Sequence, residues 1–169
     1  TVDGMAQEGA AYTGFLYAGL MIDSKGIPKV LEYNCRFGDP ETQPIMMRME
    51  SDLVAHCLAA LDKKLDTQTT TWNSKISLGV VLAAKGYPDQ YAKGETISNI
   101  PAETENSKVF HAGTQLNGKQ QVLSNGGRVL CAVALGDSVK QAQQLAYELV
   151  SEIDWPGTYY RTDIGFKAL

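Results

Sequence analysis

Histidine, cysteine and long apolar runs are all scarce in this chain of 169 residues, and each scarcity removes a class of function. Two scattered histidines, His56 and His111, give no basis for a Ser/His/Asp or Cys/His catalytic set. Three cysteines, Cys35, Cys57 and Cys131, are odd in number and lack C-x-x-C spacing. That argues against a disulfide framework and a structural zinc site, and it fits reduced thiols in the cytoplasm. No apolar stretch approaches the roughly 20 residues that cross a bilayer. Runs of like charge are missing and the net charge is −4, so nothing points to nucleic acid or a membrane surface as a partner. Neither the G-x-x-x-x-G-K-S/T loop nor a G-x-G-x-x-G turn occurs. A targeting pattern is also missing. The opening Thr1-Val2-Asp3-Gly4-Met5 reads as the interior of a longer protein, so a fragment is expected.

What is present is a globular composition, 44% hydrophobic and 20% charged. Residues 1–14 read as the end of an element broken by Gly4, Gly9 and Gly14. Phe15–Ile22 and Pro28–Tyr33 are β-compatible runs around Asp23-Ser24-Lys25-Gly26, which predicts an antiparallel hairpin with Asn34 just past its end. Asp39-Pro40-Glu41 predicts a helix start, with Asp39 as N-cap, running to about Met49. Ser51-Asp52 predicts a second cap, before a helix that buries Leu53, Val54, Cys57, Leu58 and Leu61. The polar, Thr-rich residues 62–74 are the best domain boundary. Beyond it lie strands at Ile76–Ala84, Thr96–Ile97, Lys108–Ala112, Thr114–Leu116, Gln121–Leu123 and Arg128–Leu135. A helix capped by Asp137 or Ser138 follows, with Val139, Ala142, Leu145, Ala146, Leu149, Val150 and Ile153 on one side. A last strand is expected at Thr158–Arg161. The fold class is α+β, with short antiparallel strands packed by one amphipathic helix in the second half.

The densest chemistry lies in Leu31–Thr42. Glu32 and Asn34 are two apart at a strand end, so both side chains leave the same face. A carboxylate and an amide oxygen are hard donors of the kind Mg²⁺ or Mn²⁺ takes. The plainer alternative is a turn in which Asn34 bonds the backbone and Glu32 is solvated. Arg36 either clamps a phosphate or carboxylate or pairs with Asp39 or Glu41, and composition favours the salt bridge. Gly38 beside a helix start either admits an anion or is an ordinary turn glycine. Gly113, Gly126 and Gly127 read as turn residues rather than a phosphate cradle. Met46, Met47 and Met49 read as core filler.

The run Glu32-Tyr33-Asn34-Cys35-Arg36-Phe37-Gly38-Asp39-Pro40-Glu41-Thr42-Gln43 closely resembles the signature of the phosphoribosylamine–glycine ligase family, ATP-grasp enzymes of de novo purine synthesis. The likeness extends through Tyr12–Met21, Val109–Thr114, Ser124–Leu130 and Tyr160–Gly165, in the family's order. The resemblance implies residues 1–73 as the C-terminal part of an ATP-grasp domain, and residues 74–169 as the family's C-terminal antiparallel, barrel-like domain. It implies ATP-dependent joining of glycine to 5-phosphoribosylamine through a glycyl phosphate. Glu32 and Asn34 would be ligands of Mg²⁺ or Mn²⁺, and Arg36 the catalytic cation. Asp39 and Glu41 are weaker substrate-binding candidates. Many ATP-grasp enzymes carry a further acidic ligand on the preceding strand, where this chain has Ala18-Gly19-Leu20. Small-molecule substrates are the expected partners, and the cytoplasm the expected location. A different ATP-grasp ligase of biotin-carboxylase type shares Glu-x-Asn-x-Arg, but Gly38-Asp39-Pro40-Glu41 argues against it. A non-catalytic module on the same fold is the alternative from another class. The nucleotide-binding lysine and adenine pocket of the family lie upstream of these motifs, so the chain alone is expected to be inactive.

Overall fold

The largely apolar residues 76–84 and the unbroken apolar run of residues 129–135 build the main sheet of this protein. The computed structural model describes all 169 residues. In chain order the elements are α1 (Val2–Gln7), β1 (Tyr17–Ile22), β2 (Pro28–Asn34), α2 (Thr42–Arg48), α3 (Leu53–Leu61), β3 (Ile76–Ala84), β4 (Thr96–Ile97), β5 (Ser107–His111), β6 (Thr114–Leu116), β7 (Val122–Ser124), β8 (Arg128–Gly136), α4 (Val139–Glu152) and β9 (Thr158–Tyr159). No helix is long and apolar enough to cross a membrane. Two compact units result, and they do not follow chain order. One comprises residues 1–39 and 50–71, the other residues 40–49 and 72–169.

The second unit holds most of the core. Its strands pair antiparallel in the order β5-β8-β3-β9, and a smaller sheet runs β4-β7-β6. β8 is central and buried from Val129 to Gly136, because both faces of the sheet are covered. On one face Leu78, Val80 and Leu82 pack with Ala142, Ala146, Leu149 and Val150 of α4. The small residues Ala142 and Ala146 let the helix lie close to the strands. Ser138 caps α4 by accepting a hydrogen bond from Gln141 N at 3.2 Å. On the opposite face α2 packs on β3 and β8. A Cβ on Gly79 would stand 3.0 Å from Pro44 Cγ and 3.2 Å from Cys131 Sγ, so the glycine makes room for the helix.

α2 does not begin where the sequence predicts. Asp39–Glu41 form a turn, and Glu41, rather than Asp39, is the N-cap residue. The first four-back bond is Ile45 N to Glu41 O at 3.2 Å. Pro44 is therefore the proline of the first turn, where its missing N–H has no partner to lose. Pro40 lies in the turn ahead. Met46, Met47 and Met49 are half-buried at the margin of this packing rather than in the core.

The first unit is thinly packed. Gly38 and Ala59 are its only fully buried residues. Asp52 caps α3 as predicted, accepting from Val54 N at 2.8 Å and Ala55 N at 3.4 Å. The apolar face behind that cap is only partly covered: Leu53 and Cys57 are half-buried, and Val54, Leu58 and Leu61 are 65%, 59% and 73% exposed. Periodicity locates an apolar stripe correctly, but whether anything covers it depends on residues elsewhere. The hairpin β1–β2 forms as predicted and turns on Asp23, whose Oδ1 accepts from Lys25 N at 2.9 Å and Ile27 N at 3.0 Å.

Candidate metal and phosphate site on the hairpin

The hairpin register decides which side chains meet. Tyr17 pairs with Asn34 and Gly19 with Glu32; the register then slips, and Leu20 pairs with Val30. Leu31 is thus the extra residue of a β-bulge directly beside Glu32. Bulges twist a strand locally and re-aim the side chains next to them. Asn34 is the last residue of β2 rather than a residue beyond it.

Glu32 and Asn34 share a face, as their spacing requires, and they touch. Asn34 Nδ2 donates to Glu32 Oε1 at 3.0 Å. An amide that donates through nitrogen keeps its oxygen as an acceptor. The pair therefore offers carboxylate and amide oxygens side by side. Nowhere do three or more His, Cys, Asp or Glu side chains gather in a way that could hold a metal ion. Two hard oxygen donors without a closed cage suit Mg²⁺, which keeps water and phosphate oxygens in most of its octahedron. The donor set fits a nucleotide-bound divalent cation and does not fit zinc.

Arg36 is exposed and follows directly. Its Nη1 donates to the carbonyl oxygen of Phe37 at 2.8 Å, a backbone bond in place of the ion pair that composition favoured. The Phe37 ring rests on Phe15 with centroids 4.2 Å apart, tying the loop after β2 to the segment before β1. Cys35 lies beside Tyr12, and their side-chain hydrogen bond, with some burial, pushes the Tyr12 phenol above its ordinary range. Gly38 is buried, and Asp39 is exposed in the turn that follows. Glu41 belongs to the second unit, at the start of α2, where its side chain makes no capping bond. Glu32 and Asn34 thus touch at the hairpin end and Arg36 follows two residues on in the chain, whereas Asp39 and Glu41 belong to two different compact units.

Other conspicuous residues take structural places. A Cβ on Gly113 would lie 2.7 Å from Gly126 Cα, so these glycines let two chain segments cross. His56 Nε2 meets Thr70 Oγ1 at 3.1 Å, and His111 Nδ1 meets Thr114 Oγ1 at 3.1 Å. Sequence reasoning placed Phe15 and Gly19 in the first strand without giving either a part in the site. Their only local signals are an aromatic just before a strand and a glycine inside one.

A hairpin bearing Glu-x-Asn-x-Arg and an antiparallel α+β unit are consistent with the C-terminal part of an ATP-grasp fold. Residues 1–42 match the phosphoribosylglycinamide synthetase ATP-grasp (A) domain, and residues 77–167 match the phosphoribosylglycinamide synthetase C domain. The chain belongs to the phosphoribosylglycinamide synthetase family. It is 64% identical over 170 aligned positions to the phosphoribosylamine–glycine ligase of Vibrio vulnificus strain CMCP6, covering all of this chain and 39% of that protein. Identity to the same ligase of Yersinia pestis is 60%, covering all of this chain and 40% of the relative. The crystal structure of phosphoribosylamine–glycine ligase from Thermotoga maritima superposes with a TM-score of 0.82 at 38% identity, over 95% of this chain and 39% of that one. The chain therefore spans about two fifths of the length of the relatives it matches.

Proposed function

We propose that this chain is the C-terminal part of an ATP-dependent carbon–nitrogen ligase that joins glycine to 5-phosphoribosylamine. The products are glycinamide ribonucleotide, ADP and phosphate, and the division falls near residues 73 and 74. The observation that carries this reading is the contact between Glu32 and Asn34 on one face of the hairpin, with Arg36 next in line.

The reaction must bring two anions together, the glycine carboxylate and the γ-phosphate of ATP. Glu32 and Asn34 would hold Mg²⁺ or Mn²⁺, which would supply charge neutralisation on the phosphates. The Asn34 amide holds the Glu32 carboxylate at 3.0 Å, so less reorganisation is needed when the nucleotide arrives. Arg36 directs a planar, permanently charged guanidinium at the oxygens of the transferring phosphoryl group and of the glycyl phosphate. The amine of 5-phosphoribosylamine then attacks the acyl carbon and phosphate leaves. Asp39, in the turn after Gly38, and Glu41, at the start of α2, are assigned to substrate positioning. The exposed apolar side chains of the hairpin and α3 fit a reading in which they face other parts of a larger ATP-grasp domain, since a lone two-stranded ribbon is marginal in water.

The test is Glu32→Ala in the full-length protein. Turnover dependent on Mg·ATP should fall to background while hydrogen-exchange protection of β3 and β8 stays unchanged. Activity near wild type would remove Glu32 from the site and favour a non-catalytic module on the same fold.

A further inference from the structure

We propose that Gly19 is a positioning residue for the Glu32 carboxylate; this rests on the reading of Glu32 and Asn34 as cation ligands. Gly19 lies inside β1 and pairs directly with Glu32. A glycine in a strand interior is unfavourable, because it orders a flexible backbone and packs nothing. Its usual excuse is a left-handed backbone, and Gly19 does not have one: its positive-φ counterparts in this unit are Gly9, Gly14 and Gly26. The reason is space on the Glu32 side. A Cβ at Gly19 would stand 3.1 Å from Glu32 Cγ, 3.6 Å from Glu32 O and 3.8 Å from Glu32 N. All three nearest atoms belong to the one residue, and the tightest is the side-chain atom that carries the carboxylate.

The bulge at Leu31 adds to this. It immediately precedes Glu32, and the ladder resumes one step on at Leu20–Val30. The backbone of Glu32 is thus held by pairing to Gly19 on one side of the slip. Its side chain is held by the Asn34 amide at 3.0 Å. Any side chain at position 19 presses on Cγ. The backbone is fixed, so the movement falls on the Glu32 χ angles, which carry the carboxylate away from Asn34. The position that faces Glu32 across the ladder therefore contributes no oxygen of its own, only room for the carboxylate.

This makes the strand and the cation respond in opposite directions, which separates a positioning role from a merely structural one. Valine suits a β-strand better than glycine. Gly19→Val in the full-length protein should leave hydrogen-exchange protection of the β1–β2 amides at or above wild type. Mn²⁺ affinity, followed by the EPR signal of free Mn²⁺ with a saturating non-hydrolysable ATP analogue, should fall roughly tenfold or more, the usual effect of disturbing a ligand's support. Glu32→Gln is the control for the underlying reading. Wild-type Mn²⁺ affinity in Gly19→Val, with affinity lost in Glu32→Gln, overturns the role of Gly19 alone. Affinity kept in both variants overturns the ligand assignment itself. If the valine variant loses hairpin protection, Gly19→Ala, which adds a single methyl, is read in its place. Weakened Mn²⁺ binding with an intact ladder supports the proposal, and wild-type binding or a lost ladder refutes it.

Discussion

Gly157→Ala should destabilise the second unit by about 2–3 kcal/mol, and the structure supplies each step of that figure. Gly157 follows Trp155-Pro156 and precedes β9. A Cβ there would lie 1.7 Å from Glu95 Oε2 and 2.4 Å from its Cδ, so the methyl and the carboxylate cannot coexist. Gly157 has no left-handed backbone that would resist alanine, so the carboxylate is the obstacle. It also accepts a hydrogen bond from Trp155 Nε1 at 2.8 Å. Trp155 is only 2% exposed and belongs to the main core. When Glu95 swings out, the indole N–H of this core tryptophan loses its acceptor. An orphaned buried donor costs about 1–3 kcal/mol, and a bond to a charged partner lies toward the upper end. Hydrogen exchange of β3 and β8 peptides in the full-length protein reads this directly. A loss of about 2–3 kcal/mol accelerates globally opening amides by roughly 30- to 150-fold. Glu95→Gln keeps an acceptor oxygen for the indole and should cost well under half as much. Gly157→Ala with wild-type exchange would show that the Glu95–Trp155 bond does not support the core, and the argument would fail.

Three further outcomes are expected. Arg36→Lys in the full-length protein keeps the charge but loses the planar fork, so kcat should fall roughly 100-fold, with Mn²⁺ affinity unchanged; an unchanged rate would confine Arg36 to its bond with Phe37 O. Asp52→Ala removes both cap bonds of α3 and should cost about 1 kcal/mol in local exchange protection of that helix, while Asp52→Asn restores most of it. Asp163 is held below its ordinary carboxylate range by the side-chain hydrogen bonds from Arg161, at 2.8 and 2.7 Å, with Arg161's charge adding to them. A lowered folded-state value contributes stability above the unfolded value that disappears as pH falls through the folded one. The gap in thermal midpoint between wild type and Asp163→Asn should therefore be constant near neutrality and close on acidification below the carboxylate range; a gap that widens in acid would contradict the assignment.

Much of the candidate site was legible before any coordinates. Two-residue spacing in a strand puts Glu32 and Asn34 on one face whatever surrounds them, and their contact follows from backbone geometry alone. Caps are similarly local: Asp52 and Ser138 satisfy N–H groups two or three residues ahead, so their sequence neighbourhood is enough. Asp39 has the chemistry of a cap, yet α2 starts at Thr42, and Pro44 in its first turn fills the gap at Gly79 of β3. Arg36 was assigned to a salt bridge by composition, which counts nearby carboxylates but cannot see the Phe37 carbonyl within reach of the same guanidinium.

The sequence by itself determined the strands, three of the four α-helices though not the start of α2, the shared face of Glu32 and Asn34, and, through a dozen contiguous residues, the family. Those are matters of repeat, spacing and local hydrogen bonding. Only the tertiary structure decided that residues 40–49 join the second unit, that the stripe on α3 lies uncovered, and why glycines occupy positions 19, 79 and 157. The physical reason is common to all of these. A glycine's missing side chain is defined by what fills its place, and here the neighbours are Glu32, Pro44 with Cys131, and Glu95, residues brought close by register and packing rather than by chain order.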